Sequence, residues 1–182
     1  MQRNKKDVLE FLTKGIRMVP VKDFDLQLAD HYKLTPRLLL EYSLSDDSLV
    51  SFRAAWLLEH IIIKHPSIIP TIYKQYIETM ENQKNWSAIR SLTKIAMLAS
   101  REKNAISHTE EQRDRLIEIC FNWVIDPKCP VAVTVNCLDV IANFSDSASW
   151  VKDELRAQID YLLINATPAL IARSKKIVKR IG

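Results

Sequence analysis

The stretch SFRAAWLLEHIIIKHPSIIPTIYKQYIETM, residues 51–80, decides the fold. Phe52, Ala55, Leu58, Ile61 and Ile62 follow the i, i+3, i+4 spacing that puts one apolar stripe on one face of an α-helix. HPS at 65–67 interrupts that pattern, and a second helical segment starts directly after it. Similar short breaks carrying Pro, Asp, Asn or Ser recur outward in both directions: SDDS at 45–48, ENQKN at 81–85, DPKCP at 126–130, FSDSAS at 144–149 and NATP at 165–168. Each reads as a helix-to-helix turn. Strand-like alternation is hard to find.

The breaks predict helices over 35–44, 48–64, 67–81, 86–102, 109–125, 130–144, 148–163 and 168–181, with shorter ones near 4–18 and 23–33. Alternate helices resemble one another. SFRAAWLLEHII, SAIRSLTKIAMLA and PVAVTVNCLDVIA superpose when Arg53 is placed on Arg90 and on Val133. That aligns Phe52, Ile89 and Ala132; Ala55, Leu92 and Val135; Leu58, Ile95 and Leu138; and Ile61, Leu98 and Ile141. A fourth copy, TPALIARSKKIVKRI, fits 36 or 39 residues beyond the third, with no choice between the two. Self-similarity at such intervals is the mark of stacked helix pairs.

With this pairing in hand, the chain resembles the HEAT and armadillo class of repeat proteins, and more narrowly small bacterial HEAT-repeat proteins of unassigned function. The resemblance rests on residues 51–80, on CFNWVIDPKCPVAVTVNCLDVIANF at 120–144 and on QIDYLLINATPALIARSKKIVKRI at 158–181. The family pattern sets an Asp in the turn and an Arg six residues on, which Asp47 and Arg53 satisfy. The second unit keeps Arg90 but has Lys84 in place of the Asp, and the third has Val133 in place of the Arg. The resemblance implies an all-α, right-handed alpha-alpha superhelix of about four helix pairs at 35–64, 67–102, 109–144 and 148–181. Residues 1–34 form an N-terminal cap of the single domain 1–182, with Val8, Leu9, Phe11 and Leu12 as an apolar seal.

A solenoid of this kind implies a concave surface lined by the second helix of each pair. Wheel arithmetic puts Arg53, Trp56 and His60, then Arg90, Thr93 and Lys94, then Thr134 and Asn136 on that surface. Arg53, Trp56, His60, Arg90, Lys94 and Asn136 are the candidate partner-binding residues, and the implied partner is a protein or peptide. The alternative is a DNA-binding protein related to the HEAT-like alkylpurine glycosylases, which use basic and aromatic side chains with a carboxylate. Arg173, Lys176, Lys179 and Arg180 form a candidate basic face for it, beside Lys175.

Charge argues against a general attraction for polyanions. The formal net charge is +4, yet residues 48–164 carry thirteen basic and fourteen acidic side chains. The excess lies wholly in residues 165–182, where cations also complement the dipole at a helix C-terminus.

Glycine occurs twice, at Gly15 and Gly182, which disfavours hairpin folds and phosphate-cradling loops. No G-x-S-x-G, P-loop or HExxH is present, and no Cys has a neighbouring His in sequence. Enzymatic activity is therefore not expected, nor is a cofactor. His31, His60, His65 and His108 are scattered and imply no metal. Cys120, Cys129 and Cys137 form no CxxC pair and leave an odd thiol, which suits a reducing compartment and small buried roles. No apolar run approaches the roughly 20 residues of a membrane span, and the first 20 residues lack a signal-peptide core. A soluble cytoplasmic protein is the expectation. Trp123 and Trp150 are expected in the core or under a turn, and Trp86 half exposed.

Overall fold

The computed structural model describes the backbone of residues 2–101, 108–147 and 149–182, and the side chains of all but 2–5 and 149 among them. The described residues form helices joined by turns and short irregular segments, with no strand among them. The order is α1 Gln2–Glu10, a π-helical turn Phe11–Gly15, 3-10 turns Ile16–Met18 and Val21–Asp23, α2 Leu26–His31, α3 Pro36–Ser43 and α4 Ser48–Lys64. A 3-10 turn Pro66–Ile68 leads to α5 Ile69–Asn82 and α6 Trp86–Ala99, followed by α7 Glu110–Val124, α8 Val131–Asn143, α9 Ser149–Leu163 and α10 Pro168–Ile181. The chain divides into two compact units, Met1–Ile95 and Ala96–Gly182.

Local chemistry explains where the helices start. Thr35 caps α3 by accepting from the Leu38 amide, with Pro36 at the first position. Asp47 caps α4 through Leu49 and Val50. Thr109 and Gln112 make a reciprocal capping box on α7, and Thr167 caps α10 ahead of Pro168. Each short oxygen-bearing side chain satisfies an amide that the helical ladder leaves open. The predicted end of the helix at 102 and start at 148 lie outside the described residues.

The N-terminal part departs from the predicted helices at 4–18 and 23–33. The chain leaves α1 through the π turn, whose Gly15 lies under the Phe11 ring: a Cβ on Gly15 would stand 2.9 Å from Phe11 Cδ2. That placement lets Phe11 stack on Tyr32 with centroids 3.7 Å apart. Further on, Asp25 accepts from the Leu26 amide at 2.6 Å, so α2 starts only there. It closes at Lys33, whose φ of 55° is left-handed.

In the first unit, α3 packs on α4 and on α5. Its core includes Leu39, Leu40, Ala55, Leu58, Ile61, Ile62 and Tyr76, all fully buried. Tyr76 brings a hydroxyl into that core and donates it to the Leu92 carbonyl at 2.7 Å, which offsets the desolvation of its polar end. In the second unit, α7 packs on α8, and α8 on α9 and α10. The core there holds Leu116, Ile117, Cys120, Cys137, Leu138, Ile141, Leu155 and Ile159.

Burial also chooses between the two alignments of the fourth copy. Leu170, Ser174, Ile177 and Ile181 are buried on α10, as Thr134, Leu138, Ile141 and Ser145 are on and just past α8. The spacing is 36 residues at each position. At 39, the exposed Arg180 would have to match the buried Ile141.

Candidate partner-binding surface

On α4, the three candidate residues face the N-terminal segment. Arg53 donates from Nη1 to the carbonyls of Leu12 and Thr13 at 2.9 and 2.5 Å. Those carbonyls belong to the π turn, and a charged donor is a strong partner for them. Trp56 is half-buried, with Phe24 edge-on at 4.7 Å, His60 at 5.7 Å and Phe52 stacked at 5.8 Å. Burial pushes the His60 imidazole down from its ordinary pKa; the nearby Glu59 opposes the shift, while Lys94 and Lys64 reinforce it. At the end of α4, His65 Nε2 sits 2.6 Å from Asp25 Oδ1 and Lys64 Nζ 3.4 Å from Oδ2. The His65 hydrogen bond, then the Leu26 amide, hold the Asp25 carboxyl below the usual range.

On α6, Arg90 is exposed. Lys94 is committed: its Nζ lies 2.6 Å from Glu59 Oε1, and the Glu59 side chain is only 2% exposed. Thr93 and Thr134, which the wheel put on the open surface, are buried, because packing on those faces extends past the apolar stripe. Asn136 is 8% exposed.

On α8 and α10, a buried carboxylate again gathers cations. Arg173 Nη1 lies 3.1 Å from Asp139 Oδ2, and Arg180 Nη2 lies 3.6 Å from Oδ1 and 3.4 Å from the Asp139 carbonyl. Oδ2 accepts no well-aligned hydrogen bond, so the Arg173 contact is an ion pair without directional bonding. Burial pushes the Asp139 carboxyl up, against the pull of Arg173, Arg180, Arg101 and Lys176. Desolvation of the carboxylate is the larger influence there. Lys176 and Lys179 are exposed.

Sequence reasoning missed the two carboxylates, and they are related. Glu59 and Asp139 each stand six residues beyond the aligned Arg53 and Val133. Lys94 stands four beyond Arg90, and Arg173 is its counterpart when the fourth copy is set at 36. A buried acid on one second helix therefore meets a cation at the matching position of the next, once in each unit. The signal was a lone acid inside an apolar run, in WLLEHIII and in CLDVIA.

Elsewhere the surface offers less chemistry. An open polar groove runs along the two turns before α4 and α6, past Asp46, Asn82, Lys84 and Trp86. Trp150 is 55% exposed, a correction to its expected place in the core; it sits in the first turn of α9 with only one flank near Phe121. Trp123 and Trp86 are half-buried. Cys120 and Cys137 are buried and Cys129 partly so, all as free thiols. Burial, with the hydrogen bond to Cys120, pushes the Cys137 thiol well up, away from the reactive thiolate. Among the described residues, no group of three or more His, Cys, Asp and Glu is placed to hold a metal, and no helix is long and apolar enough to cross a membrane.

One family profile, described as HEAT repeat domain, matches the chain over residues 13–181. No curated protein and no solved structure matches it.

Proposed function

The chain belongs to the HEAT-repeat family, and from that membership we propose that it is a non-enzymatic binding module for a protein or peptide. HEAT repeats generally act in protein interaction and scaffolding. In this reading the second helices supply the binding surface of each unit, α4 and α6 in the first and α8 and α10 in the second, and residues 1–182 act as one domain capped by 1–34. The observation that carries it is Arg90, a cation on the exposed face of α6 at the repeat position where Arg53 binds two backbone carbonyls. Arg53 donates to successive carbonyls of a segment that is not regular α-helix, which supports a like role for Arg90 toward the main chain of a partner. Trp56, His60, Lys94 and Asn136 then support that surface, since each is wholly or partly covered.

The test is affinity capture from native lysate, with nuclease-treated and untreated samples in parallel, using the wild-type chain and Arg90→Glu. Recovery of one protein that survives nuclease and is lost with Arg90→Glu supports the reading. Recovery unaffected by Arg90→Glu removes α6 from the surface. The DNA-binding alternative gains if nucleic acid is recovered and nuclease abolishes the capture.

A further inference from the structure

The second unit carries more positive charge around Asp139 than its own fold can use. Arg173, Lys176 and Arg180 stand at i, i+3 and i+7 on α10, one face of about 10 Å along the helix axis. One buried acid thus stands beside one helix face that carries three cations, and its single charge can offset only one of them. The like charges left over repel one another until an anion arrives from outside.

Geometry says what kind of anion. Arg173 and Arg180 each touch Asp139 through a single nitrogen, and their side chains remain 40% and 45% exposed. A guanidinium offers five N–H donors in a planar fork, so each side chain retains donors beyond the one nitrogen that meets Asp139. Asp139 draws both guanidinium groups to one carboxylate without directional bonding, so a partner's carboxylates compete with it for the same cations. Nucleic acid is the poorer fit. Residues 165–182 contain no aromatic side chain to stack a base. Three cations on one face also neutralise few phosphates, and non-specific affinity grows with their number.

We propose that Arg173, Lys176 and Arg180 form a docking site for an acidic segment of a partner protein, with Asp139 as the built-in anion with which the partner's acids compete. This rests on the reading of the chain as a protein-binding module and names the charge of its partner.

The experiment uses the full chain and a fluorescein-labelled hexaglutamate in low salt, followed by fluorescence anisotropy. A labelled oligodeoxynucleotide with six phosphates and a labelled hexaserine run alongside. Hexaglutamate is expected to bind, and hexaserine not to. Lys176→Glu, at an exposed position, is expected to weaken hexaglutamate about tenfold while far-UV circular dichroism stays unchanged. Asp139→Asn removes the competing anion and is expected to tighten hexaglutamate several-fold; Asp153→Asn, the same charge change at an exposed position on α9, is expected to leave it within twofold. Failure of the folded wild-type chain to bind hexaglutamate overturns the proposal. So does equal binding by Lys176→Glu, or an oligonucleotide bound more tightly than the peptide and lost in the same variant. If lysate capture depends on Arg90 while hexaglutamate does not bind, this inference falls and the binding-module reading stands; the reverse pattern removes that reading's α6 surface and leaves this site.

Discussion

Glu59 and Asp139 are buried carboxylates on α4 and α8, and each faces a cation from the next second helix. Removing one partner strands a buried charge, whereas replacing both leaves an apolar contact. Lys94→Met is therefore expected to cost about 1–3 kcal/mol in urea unfolding, with solvent screening at the 43%-exposed lysine holding it to the lower part of that range. Glu59→Leu combined with Lys94→Met is expected to recover most of the loss. A double variant no better than the single would mean that the pair does not act as a unit. The histidines make a second residue-scale expectation. Burial lowers the pKa of both His60 and His108 in the folded chain. As pH falls below about 6.5 the unfolded chain takes up those protons first, so stability is lost toward acid and is fully present above that value. Urea midpoints at pH 7.5 and 5.5 are expected to differ in that direction, and His60→Gln is expected to narrow the gap. An unchanged gap would remove His60 as a source of it.

Among the elements, legibility followed the short breaks between helices, with a side-chain cap at some of them and only a proline before α8. Helices beginning after Thr35, Asp47 and Thr167 were placed within a residue of their ends because a capping oxygen and a first-turn pattern coincide there. The N-terminal segment was not, because its course depends on tertiary contacts no local pattern encodes: Phe11 on Tyr32, and Arg53 reaching back some forty residues to Leu12 and Thr13. The surface residues suffered the same way. Arg53 and Lys94 sit where a helical wheel puts them, but their partners come from other elements. Gly15 gives a prediction at this scale. By helix propensity alone Gly15→Ala would stabilise by about 1 kcal/mol, yet the added carbon must displace the buried Phe11 ring from 2.9 Å. A net loss is expected, of about 1 kcal/mol, by thermal unfolding. A raised melting temperature would show that the ring moves freely and that the π turn is not held by it. Asp47→Ala, which removes the acceptor for the Leu49 and Val50 amides, is expected to cost about 1 kcal/mol in the same assay.

At the scale of the whole molecule, the boundary between the two compact units falls between Ile95 and Ala96, inside α6. A helix does not divide at such a point without loss. The portion Trp86–Ile95 would stand alone at ten residues and the remainder, Ala96–Ala99, at four, both below the length of about 12–15 at which a helix persists unaided in water. Stability in repeat proteins is also a sum of neighbour terms, so loss of one helix passes to the next. Residues 1–182 are accordingly expected to unfold as one cooperative domain. The tryptophans divide usefully, with Trp56 and Trp86 in the first unit and Trp123 and Trp150 in the second. A Trp56→Phe, Trp86→Phe chain reports fluorescence from the second unit only, and Trp123→Phe, Trp150→Phe from the first only. In each variant the fluorescence midpoint in urea is expected to coincide with that of the same variant's far-UV circular dichroism, whatever the substitutions do to stability. Fluorescence midpoints that part from circular dichroism in opposite directions in the two variants would mean that α6 breaks at Ile95 and that the units are separate domains.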